Sequence, residues 1–547
     1  MERPEQTVQC DVLVIGGAAA GLTAAIEARS RGASVVVASK GKGGRSGNTI
    51  VAGGQFAAVV PYAGSPDSPE QHFEDTLAGG REINDEALVR IHASQGGSRV
   101  LKLEEWGVRF VRSGGELVRR TPPGHRHPRG IPVDSSAHPT TLAGLAVTFP
   151  LRATAERRGV RFLDDTPVVR LLLREGRVCG ALAVDLQQRR PMLLMAPAVI
   201  VAAGGAGRLY TNTNNTRGIC GDSYGLLLEA GATLRDMEFV QFYPCQLTSP
   251  FRAALSTAVF ADGAVLRNRH GERFMYHYDP VNEERATRDV MSQAIFYEVE
   301  KGNGVDGQVY MDCTAVPMEL LERKYPSFVQ GLKASGFDPA HQWLKVGTTT
   351  HFFMGGAQVD ETCWTGIPGL FAAGEAVGGV HGANRLSGNA LTEAVVFGPI
   401  AGGSAAEYAG KESRLPELSE PSGALETAGA GGESLDAVRA ELRRAMWKGA
   451  SIVRSEGSLR SVLSTIRECA ATLKRCPAPS LLEAAQREET RLMCLSAEAV
   501  VLSALARSES RGAHFREDTP SSDDRWVGSN RVRLAGDGLR VEFAPKR

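Results

Sequence analysis

Cys10 to Ile15 is a short apolar run rich in β-branched residues, and it passes directly into Gly16-Gly17-Ala18-Ala19-Ala20-Gly21. Runs of this length with turn residues behind them read as buried strands. Leu22 to Arg31 follows with helical propensity, Gly32 ends it, and Ala33 to Ala38 is a second apolar run. The same pattern returns twice: Ala198 to Ala203 runs into Gly204-Gly205-Ala206-Gly207, and Leu370 to Ala373 into Gly374-Glu375. Arg161 to Leu173 and Arg177 to Asp185 predict strands of a smaller sheet. Asp236 to His351 mixes short helices and loops, the texture of an inserted unit. Lys411 to Glu433 is rich in Ser, Gly, Pro and Glu and predicts a linker. Helices are predicted around Leu435 to Val453, Leu459 to Leu473 and Leu481 to Ser508, and a terminal hairpin within Arg531 to Phe543.

The opening strand, glycine turn, helix and strand form a βαβ unit of the Rossmann kind. Backbone N–H groups and the positive helix end in such a turn can face a pyrophosphate. Two departures weaken this reading when it is taken alone. Ala18 occupies the middle glycine position, and the second strand ends in Ser39-Lys40, with no carboxylate for the ribose hydroxyls. A tight turn with no ligand would produce the same single motif, but three apolar strands each ending in glycine would not arise so readily. Glycine numbers 62 of 547 residues, and 28 of these fall in residues 16–54, 204–225 and 355–403.

Length suggests three to four structural units. Lys plus Arg and Asp plus Glu are both 62, a balance that excludes a nucleic-acid footprint or attraction to an anionic membrane surface. The nine cysteines are scattered without a CxxC pair, which excludes a disulfide scaffold, a zinc ribbon, an iron-sulfur ligand run and a c-type haem site. The histidines are not at metal-ligand spacing, so no metal is expected. Met1 to Gln6 contains no apolar segment, and no run of about 18 apolar residues occurs. A cytoplasmic protein, not integral to a membrane, is the expectation.

Further motifs narrow the reading. Ser46-Gly47-Asn48-Thr49 runs into Ala52-Gly53-Gly54; Gly221-Asp222 precedes Asp236-Met237-Glu238-Phe239-Val240-Gln241; Gly271-Glu272-Arg273-Phe274-Met275 precedes Thr287-Arg288-Asp289. His351 leads into Met354-Gly355-Gly356, and His381-Gly382-Ala383-Asn384-Arg385-Leu386 is followed by Asn389 and Leu391; Glu509-Ser510-Arg511-Gly512-Ala513-His514 lies near the end. In these positions, from Asp11 to about Asp524, the chain resembles the flavoprotein family of fumarate reductase, succinate dehydrogenase and L-aspartate oxidase. The resemblance implies an α/β fold: a Rossmann-like FAD-binding domain (1–235 and 352–410), an inserted α+β capping domain (236–351), a linker (411–433) and a C-terminal helical domain with a terminal hairpin (434–547).

The resemblance also implies FAD, held by Gly16, Ala18, Ala19, Ala20 and Gly21, by Ser39 and Lys40, by Ser46, Gly47, Asn48, Thr49, Gly53 and Gly54, by Ala203, Gly204, Gly205 and Asp222, and by Gly374, Glu375, Arg385, Asn389 and Leu391. Glu375 would supply the acidic group missing after the second strand. Respiratory members carry a histidine bonded covalently to the flavin where this chain has Asn48, so the FAD is expected to be non-covalent. That change lowers flavin potential and disfavours succinate oxidation with a quinone.

In the family a hydride passes between flavin N5 and a carbon next to a carboxylate, so the site needs cations for the carboxylate and a group that moves a proton. Arg385 is the candidate clamp, because a guanidinium engages a carboxylate through two parallel hydrogen bonds; His351 would hold a substrate oxygen. Arg288 stands where the family has its proton-delivering arginine. Members that reduce fumarate recharge that arginine through a glutamate and a second arginine just after the threonine matching Thr257, but here those positions read Ala258 and Phe260. Asp262 or Asp289 could substitute, although a solvated or capping aspartate is the more ordinary role. Tyr243 stands where a second substrate histidine is expected, and it brings no positive charge. With Tyr, Ala and Phe in place of His, Glu and Arg, the far end of the pocket is expected to be more apolar and to accept plain fumarate or succinate poorly. Gly124-His125-Arg126-His127-Pro128-Arg129, after Arg119 and Arg120, either adds cations near the site or is a solvated basic loop.

The leading function is an FAD-dependent oxidoreductase acting next to a substrate carboxylate, with an iron-sulfur or other redox protein as electron partner. An L-aspartate oxidase-like enzyme that gives electrons to O2 is one alternative, though Ala258 counts against it. A non-catalytic flavin-binding electron-transfer subunit is the other.

Overall fold

The apolar runs pair as a five-stranded parallel sheet in the order Leu370–Ala372, Ala198–Val201, Val12–Ile15, Val35–Ala38, Arg161–Leu163. Val12–Ile15 and Val35–Ala38 are buried throughout, as central strands covered on both faces must be. The computed structural model describes residues 6–136, 142–255, 257–412, 425, 433–536 and 538–546. Of the expected linker, 413–424 and 426–432 lie outside the described residues.

The run Arg161 to Leu173 is not one strand. Asp165 takes a positive φ of 51°, which turns the chain and separates Arg161–Leu163 from Val168–Arg174. The first piece closes the edge of the parallel sheet. The second joins Arg177–Asp185, Arg190–Met195 and Gln6–Gln9 in a four-stranded sheet.

Helix Ala19–Ser30 follows the first strand and packs against Asn389–Lys411. Alanines on one helix and glycines on the other allow the backbones to meet: a Cβ on Gly398 would stand 2.2 Å from Thr23 Oγ1, and one on Gly402 would stand 2.2 Å from Ala24 O. The small-residue composition of both helices thus brings two helix N-termini to the same edge of the sheet.

A third sheet lies within 240–353. Ala253–Ala254, Val240–Ser249, Leu344–Phe353, Val309–Asp312 and Val265–Arg267 pair antiparallel in that order. Its own apolar cluster includes Leu247, Leu266, Met275, Met311 and Leu344, with helix Arg288–Glu300 packed beside it. The end of the chain supplies helices Leu435–Gly449, Glu456–Leu473 and Leu481–Ala506. Ser455 and Ser480 start the last two with reciprocal capping boxes, which satisfy otherwise orphaned N–H groups. The hairpin is longer than its sequence signal: Gly528–Ala535 and Gly538–Pro545 pair over their whole length, and the first strand also pairs with Leu234–Arg235. Among the described residues, no helix is long and apolar enough to cross a membrane.

Candidate active site

Gly16–Gly21, Ser39–Lys40, Ala203–Gly205 and Gly374–Glu375 follow the carboxyl ends of adjacent parallel strands. Ligands of open α/β sheets bind in the crevice outside those ends. Gly16 has φ 112°, and a Cβ there would lie 2.3 Å from Ala202 O, so only glycine fits the first turn. Ala18 is the N-cap of the following helix and offers no side-chain cap, which leaves first-turn N–H groups for a pyrophosphate; Thr49 Oγ1 accepts from the Ala19 N–H at 3.3 Å. The helix Asn389–Lys411 likewise starts at Gly388 with no side-chain cap. The Asn389 side chain itself turns inward to Thr76 and His72, and Leu391 is buried. The residues present therefore fit FAD: two uncapped helix ends meet at this edge, and Gly47 and Gly374 come close to the first turn, where a Cβ would lie 3.1 Å from Ala18 Cβ and 2.8 Å from Ala20 Cβ.

Lys40 and Asp222 are occupied with each other. The Lys40 ammonium pairs with Asp222 at 2.6 Å and with Glu489, tying the last helix to the end of the second strand. Burial alone would lower the Lys40 pKa, but the two carboxylates reverse this and raise it. Ser39 is buried at the strand end, and the Ser46 hydroxyl donates to Lys42 O.

Asn48 opens a short turn, Asn48–Val51, and donates to Asn215 Oδ1 (2.7 Å) and Glu375 Oε2 (3.1 Å) while accepting from the Thr216 N–H (3.2 Å). Glu375 Oε1 accepts from the Phe353 N–H at 3.1 Å. Burial pushes Glu375 up to about 7, against the opposing effect of these donors. Gly205 makes the room, since a Cβ there would lie 2.6 Å from Glu375 Oε1. An asparagine amide held in this way is no nucleophile. Acid precipitation of the holoprotein is therefore expected to leave all the flavin in the supernatant; colour retained in the pellet would refute it.

The substrate side is assembled from three elements. Strands Val240–Ser249 and Leu344–Phe353 pair with Gln241 opposite Phe352 and Tyr243 opposite Thr349, which sets the Tyr243 and His351 rings 5.2 Å apart. Arg288, the first residue of its helix, lies with its guanidinium 5.0 Å from the Tyr243 ring centroid. Arg385 covers the Phe352 ring at 4.7 Å and donates from Nη2 to Gln241 Oε1 at 2.9 Å. The Nε atoms of Arg288 and Arg385 are buried without a hydrogen-bond partner among the described residues. Burial and the Arg288 charge lower the Arg385 pKa. Burial, then Arg385 and Arg288, hold His351 well below its ordinary value, so the imidazole is neutral. Its Nδ1 lies 3.0 Å from the Asn214 amide. Thr257 donates to the Tyr243 phenol, which itself donates to Leu255 O. Two guanidiniums crowded together, neither with an ion-pair partner among the described residues, are what a substrate carboxylate would relieve.

Other sequence candidates are committed elsewhere. Asp262 pairs with Lys324 and accepts from the Tyr325 hydroxyl at 2.8 Å, so it is an anchoring carboxylate. Phe260 is buried in the apolar cluster of the inserted sheet. In the basic loop, Arg129 pairs with Asp67 (2.6 Å) and Asp75 (2.9 Å), Arg126 with Glu74 and Asp75, and His125 is pushed down to about 4 by burial and Arg129. Those charges are neutralised locally. Asn214, Asn215 and Phe352 were not anticipated. The polar stretch Thr211 to Thr216 straight after a glycine-ended strand was the available signal for the two asparagines.

The chain is similar to known proteins over most of its length. Residues 11–391 match the FAD binding domain and residues 439–545 the fumarate reductase flavoprotein C-terminal domain. The chain is 39% identical to a subunit of the fumarate reductase (CoM/CoB) of Methanothermobacter marburgensis, across 95% of this chain and 96% of that one. It is 33% identical to an L-aspartate oxidase of Streptomyces coelicolor, across 98% and 93%. A variant of the E. coli quinol fumarate reductase flavoprotein superposes with a TM-score of 0.90 at 31% identity, across 99% and 97%. With the cradle, the cation cluster and these matches together, the chain belongs to the fumarate reductase flavoprotein family and is an FAD-dependent oxidoreductase.

Proposed function

We propose that the protein moves a hydride to or from a carbon adjacent to a substrate carboxylate, and that its substrate is larger or more apolar at the far end than fumarate. The convergence of Arg288, His351 and Arg385 on one spot, with no salt-bridge partner for either guanidinium among the described residues, carries the reading. FAD, when bound, supplies or accepts the hydride. Arg385 clamps the carboxylate, neutral His351 donates to or accepts from a substrate oxygen, and Arg288 is the group placed to exchange a proton with the second carbon. Tyr243 offers one hydroxyl, already donated to Leu255 O, and no charge, and Phe260 adds no cation. A second carboxylate would be left poorly neutralised.

The chain carries no metal-cluster ligand run, so a separate redox protein is the natural electron partner; the methanogen relative is named as one subunit of its reductase, which agrees with that. Direct reaction with O2 is the second reading, favoured by the L-aspartate oxidase relatives. Anaerobic stopped-flow mixing with fumarate, mesaconate, crotonate, succinate and L-aspartate separates them. Reoxidation of the reduced protein is expected to be faster with mesaconate or crotonate than with fumarate. A viologen-driven fumarate rate equal to that of the E. coli quinol fumarate reductase would overturn the substrate assignment. Bleaching by L-aspartate followed by rapid recolouring in air would establish the oxidase reading, and a flavin indifferent to every compound would identify an electron-transfer subunit.

A further inference from the structure

A neutral imidazole donates from one ring nitrogen and accepts at the other, and the partner of one nitrogen decides what the other can do. At His351 that partner is the Asn214 side chain, whose amide nitrogen lies 3.0 Å and whose oxygen lies 3.3 Å from Nδ1. These two distances alone leave the direction of the bond open, since an amide can be turned over. The residues behind Asn214 settle it.

A chain of three side-chain amides begins at Asn48. A backbone N–H can only donate, so the Asn48 atom 3.2 Å from the Thr216 N–H is its oxygen, and Asn48 Nδ2 donates to Asn215 Oδ1 at 2.7 Å and to Glu375 Oε2 at 3.1 Å. Asn215 is thereby fixed with its oxygen toward Asn48. It is fixed again at its other end, where Nδ2 meets the backbone oxygens of His351 (3.0 Å) and Thr350 (3.4 Å). The same Nδ2 stands 3.3 Å from Asn214 Oδ1. Turning the Asn214 amide over would set two NH2 groups against each other with no acceptor between them. Asn214 Oδ1 therefore accepts from Asn215, and Asn214 Nδ2 donates to His351 Nδ1. The backbone holds this donor in place: the Asn214 N–H donates to Thr350 O at 3.2 Å and the Thr350 N–H to Asn212 O at 2.9 Å, which seats residues 212–214 alongside the strand Leu344–Phe353.

We propose that Asn214 is a positioning residue: it makes His351 Nδ1 an acceptor, so the single ring proton sits on Nε2 and His351 donates to the substrate oxygen. The inference rests on the carboxylate-directed reading above and selects one of the two roles that reading leaves to His351. Nε2 has no hydrogen-bond partner among the described residues and is the nitrogen left for substrate. Burial and the two guanidiniums keep the ring neutral, so it adds a donor and no third positive charge beside Arg288 and Arg385. A carboxylate or carbonyl oxygen matches such a donor; an ammonium group, which has no lone pair to offer, does not.

The test is heteronuclear NMR of the oxidised holoprotein carrying nitrogen-labelled histidine, with His351→Gln used to identify the His351 signals among those of the 11 histidines. Wild-type Nδ1 is expected at the shift of an unprotonated ring nitrogen and Nε2 at that of a protonated one; the reverse overturns the proposal. In Asn214→Asp an ionised carboxylate faces Nδ1 and can only accept, so Nδ1 is expected to become protonated. In Asn214→Ala the donor is gone, and both signals are expected to move toward the average of the two tautomers. Unchanged His351 signals in either variant overturn the proposal, so one folded variant suffices. With FAD content unchanged, the dissociation constant of mesaconate, read from flavin absorbance, is expected to rise about tenfold in Asn214→Ala. A wild-type affinity in that variant would mean that the Nε2 proton does not serve the substrate, and the proposal would fail at that step. Should neither mesaconate nor fumarate perturb the flavin of the wild type, the carboxylate reading falls by itself, and the His351 signals still decide whether Asn214 sets the tautomer.

Discussion

Replacing Arg288 with glutamine is expected to lower turnover with the best carboxylate of the panel by about 10³-fold, while FAD content stays at the wild-type level. Glutamine keeps a hydrogen-bond donor but supplies neither the charge nor a transferable proton. The split between kcat and affinity makes the result diagnostic. Arg385 and His351 remain to hold the carboxylate, so its dissociation constant is expected to rise only about tenfold, in line with the loss of one charged hydrogen bond. Losing Arg288 also removes a positive neighbour from both Arg385 and His351, whose proton affinities it lowers. The imidazole of the variant should therefore titrate at a higher pH, and NMR of the His351 ring would show it. A variant retaining a tenth or more of wild-type kcat would mean that the proton arrives by another residue, and the assignment of Arg288 would fail with it.

Arg288 also shows how far the sequence could be read. Its motif, like those of His351 and Arg385, lies in a contiguous stretch, so the residues themselves were legible. What positions them was not. The partner of His351 is Asn214 and that of Arg385 is Gln241, 137 and 144 residues away, brought together by strand register that no local pattern encodes. The strands of the main sheet were legible because β-branched runs end in glycine, yet the break at Asp165 was missed, although Asp164-Asp165-Thr166-Pro167 between two apolar runs is an ordinary turn signal. Charge left a choice open: the loop 124–129 reads either as cations for the site or as a solvated basic loop, and Asp67, Glu74 and Asp75, about fifty to sixty residues earlier, take up Arg126 and Arg129. Asp262 and Asp289 looked equivalent in sequence, and only the packing around them distinguishes an occupied carboxylate from an unpartnered one.

The largest effect on stability is expected from Arg507→Met. Arg507 is fully buried at the end of the last long helix, and its guanidinium donates to Glu238 Oε1 (2.6 Å), Glu509 Oε1 (3.0 Å), Trp526 O (2.7 Å) and Gly528 O (2.8 Å). It thereby joins the root of the inserted sheet to the C-terminal helices and the terminal hairpin. Removing it strands Glu238 at 0% exposure, whereas Glu509 keeps its pair with Arg511 at 2.8 Å, and breaking a buried pair from one side costs about 3–5 kcal/mol, because the remaining charge loses its partner after its water has already been given up. Burial already holds Glu238 above its ordinary pKa, with Arg507 opposing the shift. Without Arg507 the shift grows, so the carboxyl is charged in the unfolded chain at a pH where the folded chain prefers it neutral. The deficit of the variant is therefore expected to be smallest in acid and to widen as pH rises through the folded-state value, the sign for any carboxyl raised by folding. Urea midpoints followed by far-UV circular dichroism from pH 5 to pH 8 would show the trend. The double variant Glu238→Gln with Arg507→Met is expected to recover about half of the loss, because the stranded charge is gone while the bonds to Trp526 O and Gly528 O stay lost. Equal losses in the single and double variants would place the stabilisation in the carbonyl bonds to Trp526 and Gly528 instead of the ion pair.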